Sequence, residues 1–255
     1  TRNRVPYCVE FGFNSTSLVD GSGPNVSRLV VDKKWDSLLL DGENENSEID
    51  LHKHFLTSSN ICKIFKNHHV PKEPEYISID LDSTDLWLFE AVVKEYRAMV
   101  FSIEYNSHYP LDAAITFPNE PSEFWQGDRG YGASLKALNL VANAHGYSLL
   151  WVVPCLDAFF IRNDLIDDQS NQICFPIEQW RPHTQQFVHR PLMDPQRAEI
   201  FMDYEVYLAT NGDVHASRDA ALSICRKYLC DSFYQRSLGV AKQIAKSVFR
   251  PRKRM

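Results

Sequence analysis

Two spacings of apolar residues alternate along the first 165 residues of the chain. Apolar runs of four to six residues, the length of buried strands, are separated by stretches with the apolar spacing of helices. This alternation is typical of successive strand–helix–strand units and predicts an α/β fold with a mainly parallel sheet. The predicted strands are 7–11, 37–42, 53–56, 76–80, 100–105, 148–153 and 158–162, the last two forming an antiparallel hairpin at the sheet edge.

The predicted helices lie between these strands. They are 24–35, a helix capped at 58–61 that runs to about 67, and helices at 86–93 and 134–145. After residue 165 the pattern changes, because four prolines between 166 and 200 predict an irregular segment that wraps over the body. Residues 196–210 and 218–249 then have helical patterns with no strand between them. The sequence therefore predicts a sheet domain at 1–165 and a wrap with a C-terminal helical extension at 166–255.

Polar and small residues follow the first predicted strand. Glu10, Gly12 and Asn14 stand at its end, and Gly21 and Gly23 precede the next helix. Ligands of doubly wound sheets bind beyond the carboxyl ends of the strands, and small residues before a helix let its amides approach an anionic group. The segment is either such a site or, equally well, a tight turn with a helix cap. The absence of the GxGxxG fingerprint argues against a nicotinamide cofactor.

Asp41 ends the second predicted strand and is followed by Gly42. A carboxylate in this position can accept hydrogen bonds from both hydroxyls of a ribose. An aspartate before glycine is also common in plain turns. Taken with the glycines after the first strand, the ribose interpretation is favoured.

Carboxylates cluster after the fourth and fifth predicted strands. Asp80, Asp82 and Asp85 follow the fourth strand, and Glu104 and Asn106 stand at the end of the fifth. Carboxylates crowded at one sheet edge repel each other, which raises their pKa values unless a cation pairs with them. We expect Asp80 or Asp82 to act as a general base toward an oxygen nucleophile. In the alternative, Asp85 caps the next helix and Asp80 binds backbone amides; no metal site is predicted, since the spacing is not that of an EF-hand.

Two histidines stand close together near the third predicted strand. His52 and His54 are two positions apart, so they would face the same side of a strand. They either reach the carboxylates or are surface or hydrogen-bonded core histidines, which are more frequent.

Several sequence segments follow one another in an order and at a spacing that match those of a known protein family. They are CVEFG at 8–12, LLLDG at 38–42, LTSSNI at 56–61, YISIDLDSTD at 76–85 and SIEYN at 102–106, continued by 132–138, 146–147 and 159–162. In these segments the chain resembles S-adenosylmethionine-dependent methyltransferases of the FkbM type, over roughly residues 5–165. The resemblance implies a Rossmann-like methyltransferase fold whose sheet has seven strands, the last of them antiparallel.

The resemblance also implies a cofactor and a site. S-adenosylmethionine would lie over the first two strands, within the loop that contains Gly21 and Gly23. Glu10, Gly12 and Asn14 would line its methionine part, Asp41 would hold the ribose, Thr57 would approach the adenine, and Asp80 and Asp82 would face the transferable methyl group. The acceptor is expected to be a small molecule or a glycan-like compound.

The distribution of charge along the chain predicts a surface that could bind a partner. The formal net charge is -6, which disfavours a protein that coats nucleic acid. Residues 226–255 nevertheless contain nine Lys or Arg against one acid, on a helix with an apolar stripe. Such a helix either packs on the body of its own protein or docks on a protein partner or an anionic surface.

Cysteine usage and hydropathy suggest a compartment. The six cysteines stand singly, without CxxC pairs, and are expected to be reduced thiols of a soluble intracellular protein. No apolar run approaches 18 residues, so no transmembrane segment is predicted.

Two functions follow from the sequence. The first is S-adenosylmethionine-dependent methyl transfer, with an acceptor oxygen as the nucleophile. The alternative is a catalytically inactive protein of the same fold that serves as a structural or binding subunit of a larger assembly.

Overall fold

The protein is described by a computed structural model that covers residues 4–19, 24–166 and 190–231. The strands are β1 Tyr7–Phe11, β2 Asp36–Asp41, β3 Leu51–Lys53, β4 Tyr76–Ile79, β5 Val100–Glu104, β6 Ile115–Thr116, β7 Tyr147–Val152, β8 Asp157–Arg162 and β9 Met202–Asp203. Seven of them form one sheet in the order β3-β2-β1-β4-β5-β8-β7. β8 runs antiparallel to β5 and β7, while the other neighbouring pairs from β3 to β5 are parallel. The predicted Rossmann-like methyltransferase fold class is confirmed.

Helices cover the sheet and continue beyond it. They are α1 Ser27–Val31, α2 Ile61–Asn67, α3 Asp85–Glu95, α4 Leu135–Ala144, α5 Tyr204–Ala209 and α6 Val214–Cys225, followed by a π-helical turn at Arg226–Cys230. Ser134 caps α4, because its hydroxyl accepts a hydrogen bond from the amide of Ala137. The predicted helices at 58–67, 86–93 and 134–145 are confirmed to within a few residues.

The two faces of the sheet differ in polarity. The odd-numbered residues of β1, β4 and β5, such as Val9, Ile77 and Phe101, belong to the large apolar core that includes residues of α2, α3 and α4. The second face carries buried polar residues, because Glu10, Ser78 and Ser102 lie side by side across three neighbouring strands. Because side chains alternate along a strand, these three residues point to the same face and form a row of buried polar groups across it. The candidate site lies at its carboxyl end.

Two predicted elements differ from the structure in their bounds. The helix predicted at 24–35 is only Ser27–Val31, because Glu10 binds the amides of Asn25 and Val26 and so holds the chain before the helix. Lys34 then turns the chain with a φ of 56°. The third strand is Leu51–Lys53 rather than 53–56. Phe55, whose apolar side chain suggested a strand, is 55% exposed.

The segment after residue 190 is joined to the sheet domain by a strand that the sequence did not predict. β9 pairs antiparallel with β6, which lies within the loop between β5 and α4. Phe117 and Phe201 flank this pair and pack edge to face in a second core. The prediction of uninterrupted helical segments after 196 is therefore wrong at β9. Among the described residues, no helix is both long and apolar enough to cross a membrane.

Candidate functional site

A cavity of about 380 Å³ opens beyond the carboxyl ends of β1, β2 and β4. Six of the residues predicted from the sequence line it: Glu10, Gly12, Asn14, Asp41, Asp80 and Asp82. The predicted Gly21 and Gly23 lie outside the described residues. The volume falls in the range of small-molecule sites, and the position is where ligands of open α/β sheets bind.

Gly12 is the point at which β1 and the end of β4 come closest. Its φ is +72°, and a Cβ built on it would lie 1.7 Å from the carbonyl oxygen of Asp80. No other residue type fits at such a distance, and L side chains rarely adopt this φ. The glycine leaves bare backbone at the wall of the cavity, which lets a ligand approach the chain closely.

Asp41 organises the rim of the cavity through backbone amides. Its Oδ2 accepts a hydrogen bond from the amide of Asn14 at 2.7 Å, and its Oδ1 accepts bonds from the amides of Glu43 and Asn44 at 2.7 and 2.8 Å. An ionised carboxylate has about four acceptor positions. Oδ2, which accepts a single bond from the described residues, therefore has capacity for a ligand hydroxyl.

Glu10 is almost completely buried and is committed to the start of α1. Its two carboxylate oxygens accept hydrogen bonds from the amides of Asn25 and Val26, at 2.9 and 3.1 Å. Burial raises the pKa of Glu10 to about 7, although the two amide bonds act in the opposite direction. Glu10 lines the cavity, but its bonds give it the role of holding the chain of 24–26 against β1.

A second, more apolar cavity adjoins the first. Leu81 lines both of them, and Phe55, Leu56, Pro121 and Phe124 contribute apolar surface to the second. Thr57, the residue predicted near the adenine, lines this second cavity rather than the first. The two cavities together offer a polar compartment and an apolar one on either side of Leu81.

Asp80, Asp82 and Glu104 form a cluster of three carboxylates at the ends of β4 and β5, the acidic triad. One oxygen of each lies within 4.8 Å of the others. Glu104 is 6% exposed, and its Oε2 has no hydrogen-bond partner among the described residues. The predicted convergence of Glu104 with the two aspartates is therefore present in the structure, although only the aspartates were expected to react.

The acidic triad has strongly perturbed electrostatics. Burial, and then the neighbouring carboxylates, raise the pKa values of Asp80 and Glu104 well above the ordinary range. Burial also raises the pKa of Asp82, against the opposing effect of the Arg190 guanidinium. A carboxyl whose pKa is raised above neutrality is largely protonated at physiological pH, and its ionised fraction is a stronger base than an ordinary carboxylate.

Asp85 differs from the triad although it follows the same strand. It is fully buried, and its oxygens accept hydrogen bonds from the amides of Leu81 and Ser83 at 2.7 and 2.9 Å. These bonds fix the turn between β4 and α3. The alternative in which Asp85 caps the next helix is wrong, because the cap position is Thr84 without a side-chain cap bond, and the amides of Leu81 and Ser83 precede α3.

Arg190 lies over the acidic triad and was not singled out from the sequence. Its guanidinium nitrogens are 3.9 Å from Asp82 Oδ1 and 3.7 Å from Glu104 Oε1. The guanidinium carbon lies 4.3 and 4.4 Å from the ring centroids of Trp125 and Tyr131. The sequence held no signal for this contact, because Arg190 lies in a stretch without periodic pattern and meets the loop only in three dimensions.

Three oxygen ligands of the acidic triad have the chemistry that a hard divalent cation prefers. The row of Glu10, Ser78 and Ser102 is not a comparable cation site, because the serine hydroxyls are already hydrogen-bonded. Ser78 accepts a hydrogen bond from Asn25, and Ser102 bonds to Ser78 and Tyr76. The arrangement at the ends of β4 and β5 can thus attract a cation or accept a proton. The predicted absence of a metal site stays a prediction.

Comparison with known proteins gives little beyond the fold. No family model and no curated protein matches the chain in sequence. Among solved structures, the chain is similar to MycE methyltransferase from the mycinamycin biosynthetic pathway, in complex with Mg, SAH and mycinamycin VI, with 16% identity, a TM-score of 0.41 and 66% of this chain covered. The chain spans about half of that structure's length, 48%. So distant a likeness carries no argument about activity, and the FkbM-type resemblance stays a prediction.

Proposed function

We propose that the protein is an S-adenosylmethionine-dependent methyltransferase. The observation that carries the proposal is the pair of adjoining cavities at the carboxyl ends of β1, β2 and β4. S-adenosylmethionine has a charged amino-acid part, a ribose and an apolar base. The polar cavity suits the first two, with Asp41 at the ribose, and the apolar cavity beside Thr57 suits the base.

The proposed reaction is methyl transfer to an oxygen of the acceptor. Asp80 or Asp82, in its ionised form, takes the proton of an acceptor hydroxyl as that oxygen attacks the methyl carbon. The new O–C bond forms while the C–S bond of the sulfonium breaks, which leaves S-adenosylhomocysteine and a protonated carboxyl. Most of the acceleration would come from holding the two reactants in line.

The acceptor would bind on the side of the acidic triad that faces Arg190. Trp125 and Tyr131 belong to the loop between β5 and α4, and they flank Arg190 there. This boundary of aromatic rings and one cation suits a small polar acceptor or a glycan-like one with several hydroxyls. Glu104 and Tyr131 each have a buried oxygen without a partner in the described part of the chain, which an acceptor hydroxyl would satisfy.

Isothermal titration calorimetry with S-adenosylmethionine and S-adenosylhomocysteine tests the proposal. We expect the intact protein to bind both, and Asp41→Asn to weaken binding by about tenfold or more, because a charged hydrogen bond to the ribose contributes about 1.5–3 kcal/mol. Asp36→Asn is the matched control, since Asp36 lies on the same strand but is exposed at its other end. Folding of each variant is checked by circular dichroism.

The same titration separates the second function from the first. Both carboxylate oxygens of Glu10 and of Asp41 already accept hydrogen bonds within the protein, which is what a non-catalytic subunit of this fold would also show. A folded protein that binds neither compound at about millimolar concentration contradicts the enzyme and favours the scaffold. The basic residues that would hold a partner in that case lie mostly outside the described residues.

A further inference from the structure

Three histidines meet where β3 leads toward α2, away from the acidic triad. His52 lies on β3, His54 follows it, and His68 is the residue directly after α2. The Nε2 atoms of His54 and His68 are 3.2 Å apart. The ring of His52 packs on that of His68, with 4.2 Å between the ring centroids. We call these three residues the histidine cluster.

The distance between the two Nε2 atoms is the one that a shared metal ion requires. Histidine nitrogens lie about 2.1 Å from a bound zinc ion. Two such ligands are then about 3.0 Å apart at a right angle and about 3.4 Å apart at the tetrahedral angle. The observed 3.2 Å falls between these two values, so the two nitrogens stand at the separation that a shared ion requires.

The present contact between the two rings is compatible with metal binding. One Nε2 must carry a proton and donate it to the other for the two atoms to form a hydrogen bond. A metal ion would replace that single proton, and each ring would then keep its proton on Nδ1.

His52 has the environment of a third ligand. Its Nε2 is 2.8 Å from Oδ1 of Asp50. Histidines that bind metals usually donate their other ring N–H to a carboxylate, which fixes the ring and raises its basicity. With Nε2 held by Asp50, the nitrogen left for an ion is Nδ1.

We propose that the histidine cluster binds a borderline transition-metal ion of the Zn²⁺ class. His54 and His68 provide the two preformed ligands, and His52 is recruited with Asp50 behind it. Imidazole ligands favour Zn²⁺, Ni²⁺ and Cu²⁺ over Mg²⁺. His54 also lines the second cavity, so the ion would lie beside the predicted adenine position. The inference does not depend on methyl transfer.

Zn²⁺ titration of the full-length protein, with any histidine tag removed, tests this inference by calorimetry. We expect one ion per chain, and a loss of affinity of at least about tenfold in His54→Ala and in His68→Ala, since removing even a residue behind a ligand costs about 10–100-fold. His69→Ala is the matched control, because His69 is the exposed neighbour of His68. If an alanine variant does not fold, the glutamine variant at the same position replaces it.

A second comparison distinguishes this cluster from the acidic triad. Glu104→Gln should leave Zn²⁺ binding unchanged, and Mg²⁺ should not compete with Zn²⁺. Loss of Zn²⁺ binding in Glu104→Gln, with binding retained in the histidine variants, would overturn the proposal. So would a folded parent protein that takes up no Zn²⁺ at about 100-fold molar excess.

Discussion

The carboxylates on the two sides of Gly12 are used in different ways. On the β1 and β2 side, Glu10 and Asp41 accept hydrogen bonds from backbone amides on both of their oxygens. On the β4 and β5 side, no hydrogen bond from a described backbone amide reaches the carboxylate of Asp80 or Glu104, and these two face each other and Asp82. All stand at or near the carboxyl ends of neighbouring strands. These carboxylates therefore have similar positions in the fold. Their hydrogen bonds to backbone amides decide which of them are structural and which are available for chemistry.

The pKa values express this difference. Burial raises the pKa of Glu10 only to about 7, because the two amides favour its charged form. Glu104 has a similar degree of burial without amide donors, and its pKa is raised much further by burial and by the other carboxylates. The carboxylates on the β1 and β2 side hold the backbone around a ligand, whereas those on the β4 and β5 side hold and exchange protons; we call the latter the proton reservoir.

The largest effect is expected at Gly12, where the two sides meet. Gly12→Ala would place a methyl group 1.7 Å from the Asp80 carbonyl at a φ of +72°. Since the contact is with backbone, the strands must separate, and we expect a loss of about 3 kcal/mol or more in the free energy of unfolding. Chemical denaturation measures this loss.

Gly42→Ala is the control for that experiment. A Cβ at Gly42 would have no heavy atom within 4 Å, and its φ lies outside the left-handed region. We expect a change of less than about 0.5 kcal/mol. Equal losses in the two variants would mean that the close approach of Gly12 to Asp80 does not hold the two sides together.

A pair of identical substitutions tests the comparison directly. Glu10→Gln leaves the amide of Asn25 or Val26 without an acceptor, which costs about 1–3 kcal/mol for a buried donor. Glu104→Gln should change stability by less than about 0.5 kcal/mol at pH 7, because burial and the neighbouring carboxylates raise the pKa of Glu104 to about 10 and its Oε2 has no partner to lose among the described residues. Urea denaturation at pH 7 compares them, and a cost at Glu104 as large as that at Glu10 would refute the division into two sides.

The sequence predicted the frame better than the reactive side. Apolar runs identified the strands of the main sheet, and the polar residues after β1, β2 and β4 identified six lining residues, because strand ends are local features. Arg190 and β9 could not be predicted, since both are defined by contacts with the distant loop between β5 and α4. The hydrogen bonds of Glu10 to backbone amides could not be predicted either, because a carboxylate that binds amides and one that binds a ligand have the same sequence signature.

The pH dependence of stability tests the proton-holding side, and Asp80 provides the test. Its pKa is about 8 in the folded protein, mainly through burial, against about 3.9 in an unfolded chain. Between these values the folded protein holds a proton that the unfolded chain has released. Stability is therefore fully present below about pH 4 and declines as the pH rises toward 8, by at most about 1.4 kcal/mol per pH unit for one proton.

Asp80→Asn removes this titration while keeping the size of the side chain. We expect the parent protein to lose free energy of unfolding between pH 5.5 and pH 7.5, and the variant to lose less, with denaturation curves at both values as the measurement. Asp36→Asn is the control, because Asp36 is exposed. Parallel slopes for parent and Asp80→Asn would mean that Asp80 is ionised in the folded protein. The acidic triad would then need a permanent cation, and the proton reservoir on the β4 and β5 side would not exist.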